Sequence, residues 1–139
     1  MRRVWAIALT FLVSACSPAG KHEAASLIAA TERFHKAENT EKPDRAASIA
    51  RVACTDAEVC EAKRVCESAS KSTADALVLK AEVEQGIALL ERGTLAKTDD
   101  AAAALPGKLD EAERLLTAGH EAMPACDQRI LALRARYDL

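Results

Sequence analysis

The longest uninterrupted helix-forming stretch, from Asp56 to Arg92, most constrains what this chain can fold into. Small and apolar residues recur along it at seven-residue intervals in two series: Val59, Cys66, Thr73, Lys80 and Ile87, and Ala62, Ala69, Ala76, Val83 and Leu90. This a/d pattern is typical of a helix that packs along a partner helix, and Lys80 is its weak position. As one helix the stretch would extend about 55 Å, which is longer than a compact domain of this size and predicts an elongated helical hairpin.

Local signals mark both ends of this helix and leave one alternative open. Thr55 and Glu58 form a capping-box pattern, which predicts Thr55 as the N-cap. Gly93 supplies the left-handed residue at which many helices end. A break near Ser70 is the alternative, with Ser72 capping a restarted helix. We favour one continuous helix.

Two shorter helices are predicted before this stretch. Residues 22–37 have an apolar face formed by Leu27, Ile28, Thr31 and Phe34, and we expect an opposite face with Glu23, Glu32 and Lys36. Residues 38–42 lack periodicity and precede a proline, so they are predicted to form a turn. Pro43 then begins a second helix, where its missing N–H costs nothing, and this helix is expected to end near Cys54.

Prolines divide the predicted helices after the long stretch. A polar connection over 94–100 leads to one helical turn at 101–104, which Pro106 is expected to break. A helix follows over 109–122, and Pro124 is expected to break or restart it. The last helix presents one buried stripe, formed by Cys126, Ile130, Leu133 and Tyr137.

The N-terminal residues are of a different kind from the rest of the chain. Two arginines precede an apolar run over 4–13, which as a helix would extend about 15 Å and is too short for a bilayer core of about 30 Å. The run ends in Val13-Ser14-Ala15-Cys16. This motif resembles the lipobox of bacterial lipoprotein precursors, an aliphatic residue and two small residues before a cysteine. The resemblance covers residues 1–16 and implies lipidation of the Cys16 thiol, cleavage before it, and acylation of the new amino group.

The resemblance implies a division of the chain and a location. It gives a signal peptide over 1–15, a lipidated tether over 16–21, and a helical domain over 22–139. The domain would face the periplasm from a bacterial cell membrane, with the outer membrane favoured because Ser17 follows the cysteine. Two or more acyl chains anchor a protein almost irreversibly. A secreted protein with a chance cysteine at the cleavage site is the alternative.

Four cysteines remain when Cys16 is set aside: Cys54, Cys60, Cys66 and Cys126. An even number outside the cytoplasm predicts two disulfides, with free buried thiols as the alternative, and the wide spacing disfavours zinc. On one helix, Cys60 and Cys66 would have Cα atoms about 9 Å apart, beyond the limit of about 7 Å for a bridge. Cys54 lies just before the cap and can fold back over the first turn. We therefore predict Cys54–Cys60, and Cys66–Cys126 joining the long helix to the last one.

Composition supports an all-α fold and excludes one class of partner. Removing residues 1–15 leaves 124 residues and changes the formal net charge from −2 to −4, because only Arg2 and Arg3 are lost. A mildly acidic chain without a basic stripe predicts no nucleic-acid partner. Alanine dominates the apolar residues; it favours helices but buries little area, so the core is expected to be modest.

No catalytic or cofactor motif is present, so neither enzyme activity nor a cofactor is predicted. Three histidines are expected to be solvated or to cap helix ends: His22, His35 and His120. Two acidic clusters could hold a hard cation, but helix starts explain them more simply: Asp99-Asp100 and Asp110-Glu111-Glu113. No metal site is therefore predicted.

Residues 107–124 resemble the second helix of a tetratricopeptide repeat at six small or apolar positions: Gly107, Leu109, Ala112, Leu116, Gly119 and Pro124. The preceding segment lacks the bulky aromatic and Leu-Gly positions of a first helix, and no 34-residue period recurs. The expected fold therefore remains a small antiparallel hairpin or bundle.

The predicted protein is a lipid-anchored, disulfide-stapled all-α domain of the cell envelope with a structural or protein-interaction role. Its expected partners are the membrane, through the lipid on Cys16, and an envelope protein. The two seven-residue series form a seam along the long helix, and its part between Thr73 and Lys80 is polar and weakly packed. This part motivates the second partner, because another chain can complete a weakly packed seam. An envelope protein that binds a small molecule or a metal between its helices is the alternative.

Overall fold

The computed structural model describes residues 18–139 as a bundle of five helices: α1 Pro18–Lys36, α2 Lys42–Ala50, α3 Ala57–Glu91, α4 Asp100–Ala103 and α5 Leu105–Tyr137. No strand occurs in this range, so the all-α prediction with one long central helix is confirmed. α3 and α5 form an antiparallel hairpin about 50 Å long. α1 and α2 pack against one half of it, called here the base. The half beyond them, residues 77–118, is called the arm.

α3 runs without a break, as the seven-residue pattern predicts. Its serines do not interrupt it because their hydroxyls bond back to the helix. Ser70 donates to the carbonyl of Glu67 and Ser72 to that of Ser68, both at 3.2 Å. The alternative break near Ser70 is therefore wrong. The helix ends before Gly93, whose φ of 70° is the left-handed conformation expected there.

The predicted N-cap of α3 is wrong by one residue. Asp56 is the cap, and its Oδ1 accepts hydrogen bonds from the amides of Glu58 at 3.0 Å and Val59 at 3.2 Å. The amide and hydroxyl of Thr55 instead donate to the Glu23 carboxylate on α1, both at 2.8 Å. A tertiary partner therefore replaces the local capping bond that the sequence pattern favours.

α5 is one helix where two were predicted. Pro106 lies in its first turn, where the missing N–H has no partner to lose, so it begins the helix rather than breaking the chain. Pro124 lies inside the helix. It faces solvent and removes one hydrogen bond, but packing against α3 on both sides keeps the axis continuous: Gly119 before it and Cys126 after it are buried. Residues 107–124 thus belong to a 33-residue helix and not to a short repeat helix.

The base holds the core, and its first helix begins earlier than predicted. α1 starts at Pro18 and not at residue 22, so residues 18–21 are helical. The largest fully buried side chains come from all four long elements: Leu27, Ile49, Val59, Cys66, Cys126 and Leu133. The predicted stripe of α5 is buried here as well, including Ile130 and Tyr137. Small alanines fill the remaining contacts, including Ala24, Ala62 and Ala69.

Both predicted disulfides are confirmed. Cys54 and Cys60 have Cα atoms 5.2 Å apart, because the chain before the cap folds back over the first turn of α3. Cys66 and Cys126 have Cα atoms 4.6 Å apart and join α3 to α5 across 60 residues of sequence. Both bonds lie in the base, and the Cys66–Cys126 bond is fully buried.

Candidate functional site

The first candidate site is the end of the base where α1 begins, called here the anchor end. Cys16 and the rest of the predicted signal peptide lie outside the described residues. In the sequence, Ser17 alone separates Cys16 from the first helical residue, Pro18. The geometry of α1 therefore bears directly on how the domain would be held by a lipid.

A buried carboxylate fixes the start of α1. Glu23 is only 9% exposed, although the sequence pattern places it on the solvent face. It accepts the two bonds from Thr55 and a third from the amide of Asp56 at 3.2 Å. These bonds, first that from the Thr55 backbone, lower the pKa of Glu23 below its ordinary value. Glu23 is thus a charged group that joins α1 to the start of α3.

The C-terminal end of α5 closes the same end of the bundle. The Tyr137 hydroxyl is buried beside the Asp56 carboxylate, without a well-aligned hydrogen bond to any described residue. Burial raises the pKa of Tyr137, and the Tyr137 hydroxyl, followed by the amides capped by Asp56, lowers that of Asp56. Gly20 leaves room for this contact, since a Cβ there would lie 2.7 Å from the Tyr137 oxygen. Arg136 pairs with Glu58 on α3.

Sequence reasoning missed this cluster for a physical reason. Its members come from three distant segments, and each has an ordinary local explanation at a helix end or on a polar face. One signal was available: Glu23 directly precedes Ala24, and Leu27 follows at i+4 on the apolar face. A carboxylate at that position is either buried or at the edge of the core.

The second candidate site is a groove between α3 and α5 on the arm, called here the arm groove. Seven residues line it: Ala76, Leu77, Lys80, Leu109, Ala112, Glu113 and Leu116. The buried Ala76 and Ala112 form its floor. Leu109 is 41% exposed and Leu116 is 47% exposed, so large apolar side chains of the arm face solvent. The groove encloses about 220 Å³.

The arm groove continues from the end of α1. Leu116 lines it and also lines the neighbouring cavity against Phe34 and His35, in the last turn of α1. Leu77 and Lys80 are likewise shared with a cavity beneath the loop after α1, at Asn39. α1 therefore lies in the space between α3 and α5 at the base, and the arm groove is the same space where α1 has ended.

The lining of the arm groove carries one charge of each sign, from Lys80 on α3 and Glu113 on α5. Asp110, Glu113 and Glu121 line one face of that helix. Within residues 18–139, none of the three forms an ion pair, because the neighbouring Arg114 is held by both carboxylate oxygens of Glu111. On the α3 side, Lys80 lies 4.0 Å from Glu84. The two charged residues that line the groove therefore balance each other, beside the partly exposed Leu109 and Leu116.

The predicted open seam between Thr73 and Lys80 is half closed. At Thr73, α5 completes it, because Gly119 lets the two backbones approach closely. A Cβ at Gly119 would lie 3.0 Å from the Thr73 amide nitrogen. At Lys80 the seam remains open, with its side chain 58% exposed. The prediction is therefore correct only for the arm.

Two of the three histidines line the same cavity at the end of α1, namely His35 and His120. His35 Nε2 lies 3.0 Å from Asp127 Oδ1 and joins α1 to α5. His22 is exposed in the first turns of α1.

The acidic clusters have local roles in the structure. Asp99 is the residue before α4 and accepts a hydrogen bond from the Ala96 amide at 3.2 Å. Glu111 pairs with Arg114. Across the described helices and loops, no three side chains converge in a geometry that could hold a metal ion.

From Pro18 onward, the structure contains no helix with the length and apolar character needed to cross a bilayer. Neither a protein-family model, nor a curated protein, nor a solved structure matches this chain.

Proposed function

We propose that this is a lipid-anchored protein of the bacterial cell envelope whose arm contacts a partner protein. The single observation that carries the proposal is the arm groove, where Leu109 and Leu116 of α5 are exposed to solvent opposite Leu77 of α3. Exposed apolar grooves between helices commonly receive a helix of another chain.

The disulfides and the N-terminal motif support the location. All four cysteines after Cys16 are paired, which is typical of proteins that fold in an oxidising compartment. The anchor end is compatible with attachment there, because Glu23 and Tyr137 hold the first turns of α1 against α3 and α5. A lipid there would hold the base at the bilayer and leave the arm to extend from it by several turns.

The anchor is tested with Cys16→Ser in the full chain. We expect the wild-type protein to incorporate radiolabelled palmitate and to remain with washed membranes, and the variant to lose both properties. Ser17→Ala is the control and should retain both. An unmodified, uncleaved N-terminus in the intact mass of the wild-type protein would contradict the anchor.

The arm is tested by placing a photo-crosslinking amino acid at Leu109 in intact cells. The control position is Leu131, which is 64% exposed on the same helix but lies in the base. We expect Leu109 to crosslink to one discrete protein and Leu131 to give no specific product. Equal, diffuse crosslinking at both positions would contradict a docking role for the arm.

A second candidate is an envelope protein that binds a small molecule, and one cavity favours it. Between α2 and α3 a cavity of about 300 Å³ is lined mainly by apolar atoms, including those of Ala50, Ala74 and Val78. That volume is at the lower limit for ligand pockets. A low-molecular-weight envelope extract should then raise the melting temperature of the wild-type protein and leave that of Ala50→Leu, which fills the cavity, unchanged.

A further inference from the structure

We propose that the Cys54–Cys60 disulfide is a thiol-exchange site, and that its reduction by a dithiol loosens the start of α1. The inference concerns the anchor end and depends neither on the arm groove nor on a lipid at Cys16. Two independent observations support it: the two disulfides differ in burial, and the Cys54–Cys60 bond closes a segment that binds α1. This segment, residues 54–60, is called here the latch segment.

The two disulfides differ in their access to a reductant. Cys66 and Cys126 are both 0% exposed, so a thiolate in solvent cannot reach either sulfur while the bundle is folded. Cys54 and Cys60 are partly exposed, and the exposed Ala53 precedes the first of them. Because exchange begins with direct attack on a sulfur, the Cys54–Cys60 bond is the one open to exchange in the native protein.

Reduction by a dithiol proceeds in two exchange steps. A thiolate of the dithiol attacks one sulfur of the Cys54–Cys60 bond, forms a mixed disulfide with it, and expels the other sulfur as a thiolate, which takes up a proton. The second thiolate of the reductant then attacks the reductant's own sulfur in the mixed disulfide and expels the remaining cysteine, which is protonated in turn. Two electrons thus pass to the protein, which gains two thiols, while the reductant becomes a disulfide.

The effect of this reduction is expected to be local. The Cys66–Cys126 bond still joins α3 to α5 when the Cys54–Cys60 bond is open. The Cys54–Cys60 bond spans only 6 residues, against 60 for the other, so its loss adds less freedom to the unfolded chain. The bundle should therefore stay folded while the latch segment gains freedom.

The latch segment holds the start of α1 through Glu23. The amide and hydroxyl of Thr55 and the amide of Asp56 all donate to the Glu23 carboxylate. Both donor residues lie inside the covalent loop, and the disulfide holds their backbone against the first turn of α3. Glu23 is 9% exposed, and a buried charge depends on such bonds. Opening the disulfide therefore weakens all three bonds together.

A second contact transmits the change to the first turn of α1. Gly20 packs against Asp56 and Tyr137, since a Cβ on Gly20 would lie 3.3 Å from the Asp56 Cβ. Movement of the latch segment thus removes the surface on which this turn rests. Residues 18–24 should loosen selectively, whereas the arm, residues 77–118, has no contact with the latch segment through these residues and should not respond.

The first test measures disulfide reduction in the full chain purified in detergent, with dithiothreitol as the reductant and N-ethylmaleimide as the trap. Peptide mass spectrometry should find Cys54 and Cys60 alkylated at least about tenfold faster than Cys66 and Cys126. Equal rates, or faster reduction of the buried bond, would overturn the exchange site.

The second test measures amide hydrogen exchange in the oxidised and the selectively reduced protein. Residues 18–24 should exchange at least about tenfold faster after reduction, whereas residues 77–118, the internal control, should be unchanged. Unchanged exchange at residues 18–24 would show that the disulfide does not hold α1. Faster exchange along the whole chain would show that it holds the entire fold, and either result would overturn the proposal.

Two variants separate the loss of the disulfide from the action of the reagent. Cys54→Ser/Cys60→Ser should show the faster exchange at residues 18–24 without any reductant, while far-UV circular dichroism shows a folded bundle. In Glu23→Gln the bonds from Thr55 are already weakened, so reduction should add little to the exchange of residues 18–24. A full additional effect of reduction in Glu23→Gln would contradict a latch that acts through this carboxylate.

Discussion

At the scale of single residues, one close approach between α3 and α5 depends on a glycine. Gly119 is buried against Thr73, and a Cβ there would meet the Thr73 hydroxyl and lie 3.2 Å from the carbonyl oxygen of Ala69. A hydroxyl can rotate away, but the backbone atoms of α3 cannot. The two helices would therefore have to separate to admit a methyl group.

Gly119→Ala is expected to lower the free energy of unfolding by about 1–3 kcal/mol, the usual cost of overpacking. Gly107→Ala in the same helix is the matched control, because a Cβ there meets no atom within 4 Å. Since alanine is the better helix former, the control should be neutral or stabilising by up to about 1 kcal/mol. Urea denaturation of both variants would measure the difference, and equal values would contradict the close approach.

The buried carboxylate at the anchor end predicts a dependence of stability on pH. Because the folded-state pKa of Glu23 is lowered from 4.5, its stabilising effect is present above that value and is lost as the pH falls through the lowered pKa. Glu23→Gln should therefore lower the melting temperature most at neutral pH, and the difference from wild type should shrink in acid. Glu113→Gln, at an exposed carboxylate, is the control. A constant difference across the titration would contradict a charged Glu23.

At the scale of helices, the most informative residue is Pro124. It removes the hydrogen bond to the carbonyl of His120 and yet lies inside a continuous α5. Pro124→Ala should restore this bond and raise the free energy of unfolding by about 1–3 kcal/mol, less the entropy that alanine adds to the unfolded chain. Pro106→Ala in the first turn is the control and should change stability little. If Pro124→Ala instead lowered the free energy of unfolding, the proline would itself stabilise the conformation of α5.

The same helix shows what sequence patterns can and cannot predict. The seven-residue repeat predicted α3 correctly, because a long amphipathic helix is specified by its own periodicity. The sequence predicts a break in α5 at Pro124, because a local rule counts the lost hydrogen bond but not the flanking packing at Gly119 and Cys126. It predicts the cap at Thr55 rather than Asp56 for a similar reason, since Glu23 competes for Thr55 from another helix.

At the scale of the whole molecule, the disulfides close loops of very different size. The Cys66–Cys126 bond spans 60 residues, whereas the Cys54–Cys60 bond spans 6. From the entropy of the unfolded chain, replacing the first pair by alanines should lower the free energy of unfolding by about 4 kcal/mol, and replacing the second pair by about 2 kcal/mol. Denaturant titration of the two double variants would measure this order. The reverse order would show that native contacts, and not loop size, determine how much each disulfide stabilises the fold.

Disulfide pairing was predictable at this scale, whereas the candidate sites were not. Helical geometry excluded a bond between Cys60 and Cys66, and so favoured the pairing that the structure shows. The arm groove depends on where α1 ends relative to α3 and α5. That is a property of the assembled bundle, and no single segment carries it. The sequence indicated the arm groove only through the open seam at Lys80.

The buried Cys66–Cys126 bond also decides what a broken backbone would do. The exposed connection over 92–99 lies between these two cysteines in the sequence. A protease that cut there would yield two polypeptides still held together by sulfur. The C-terminal fragment would remain bound to the N-terminal one until the disulfide was reduced. Cleavage in the connection over 92–99 would therefore not by itself release half of the molecule.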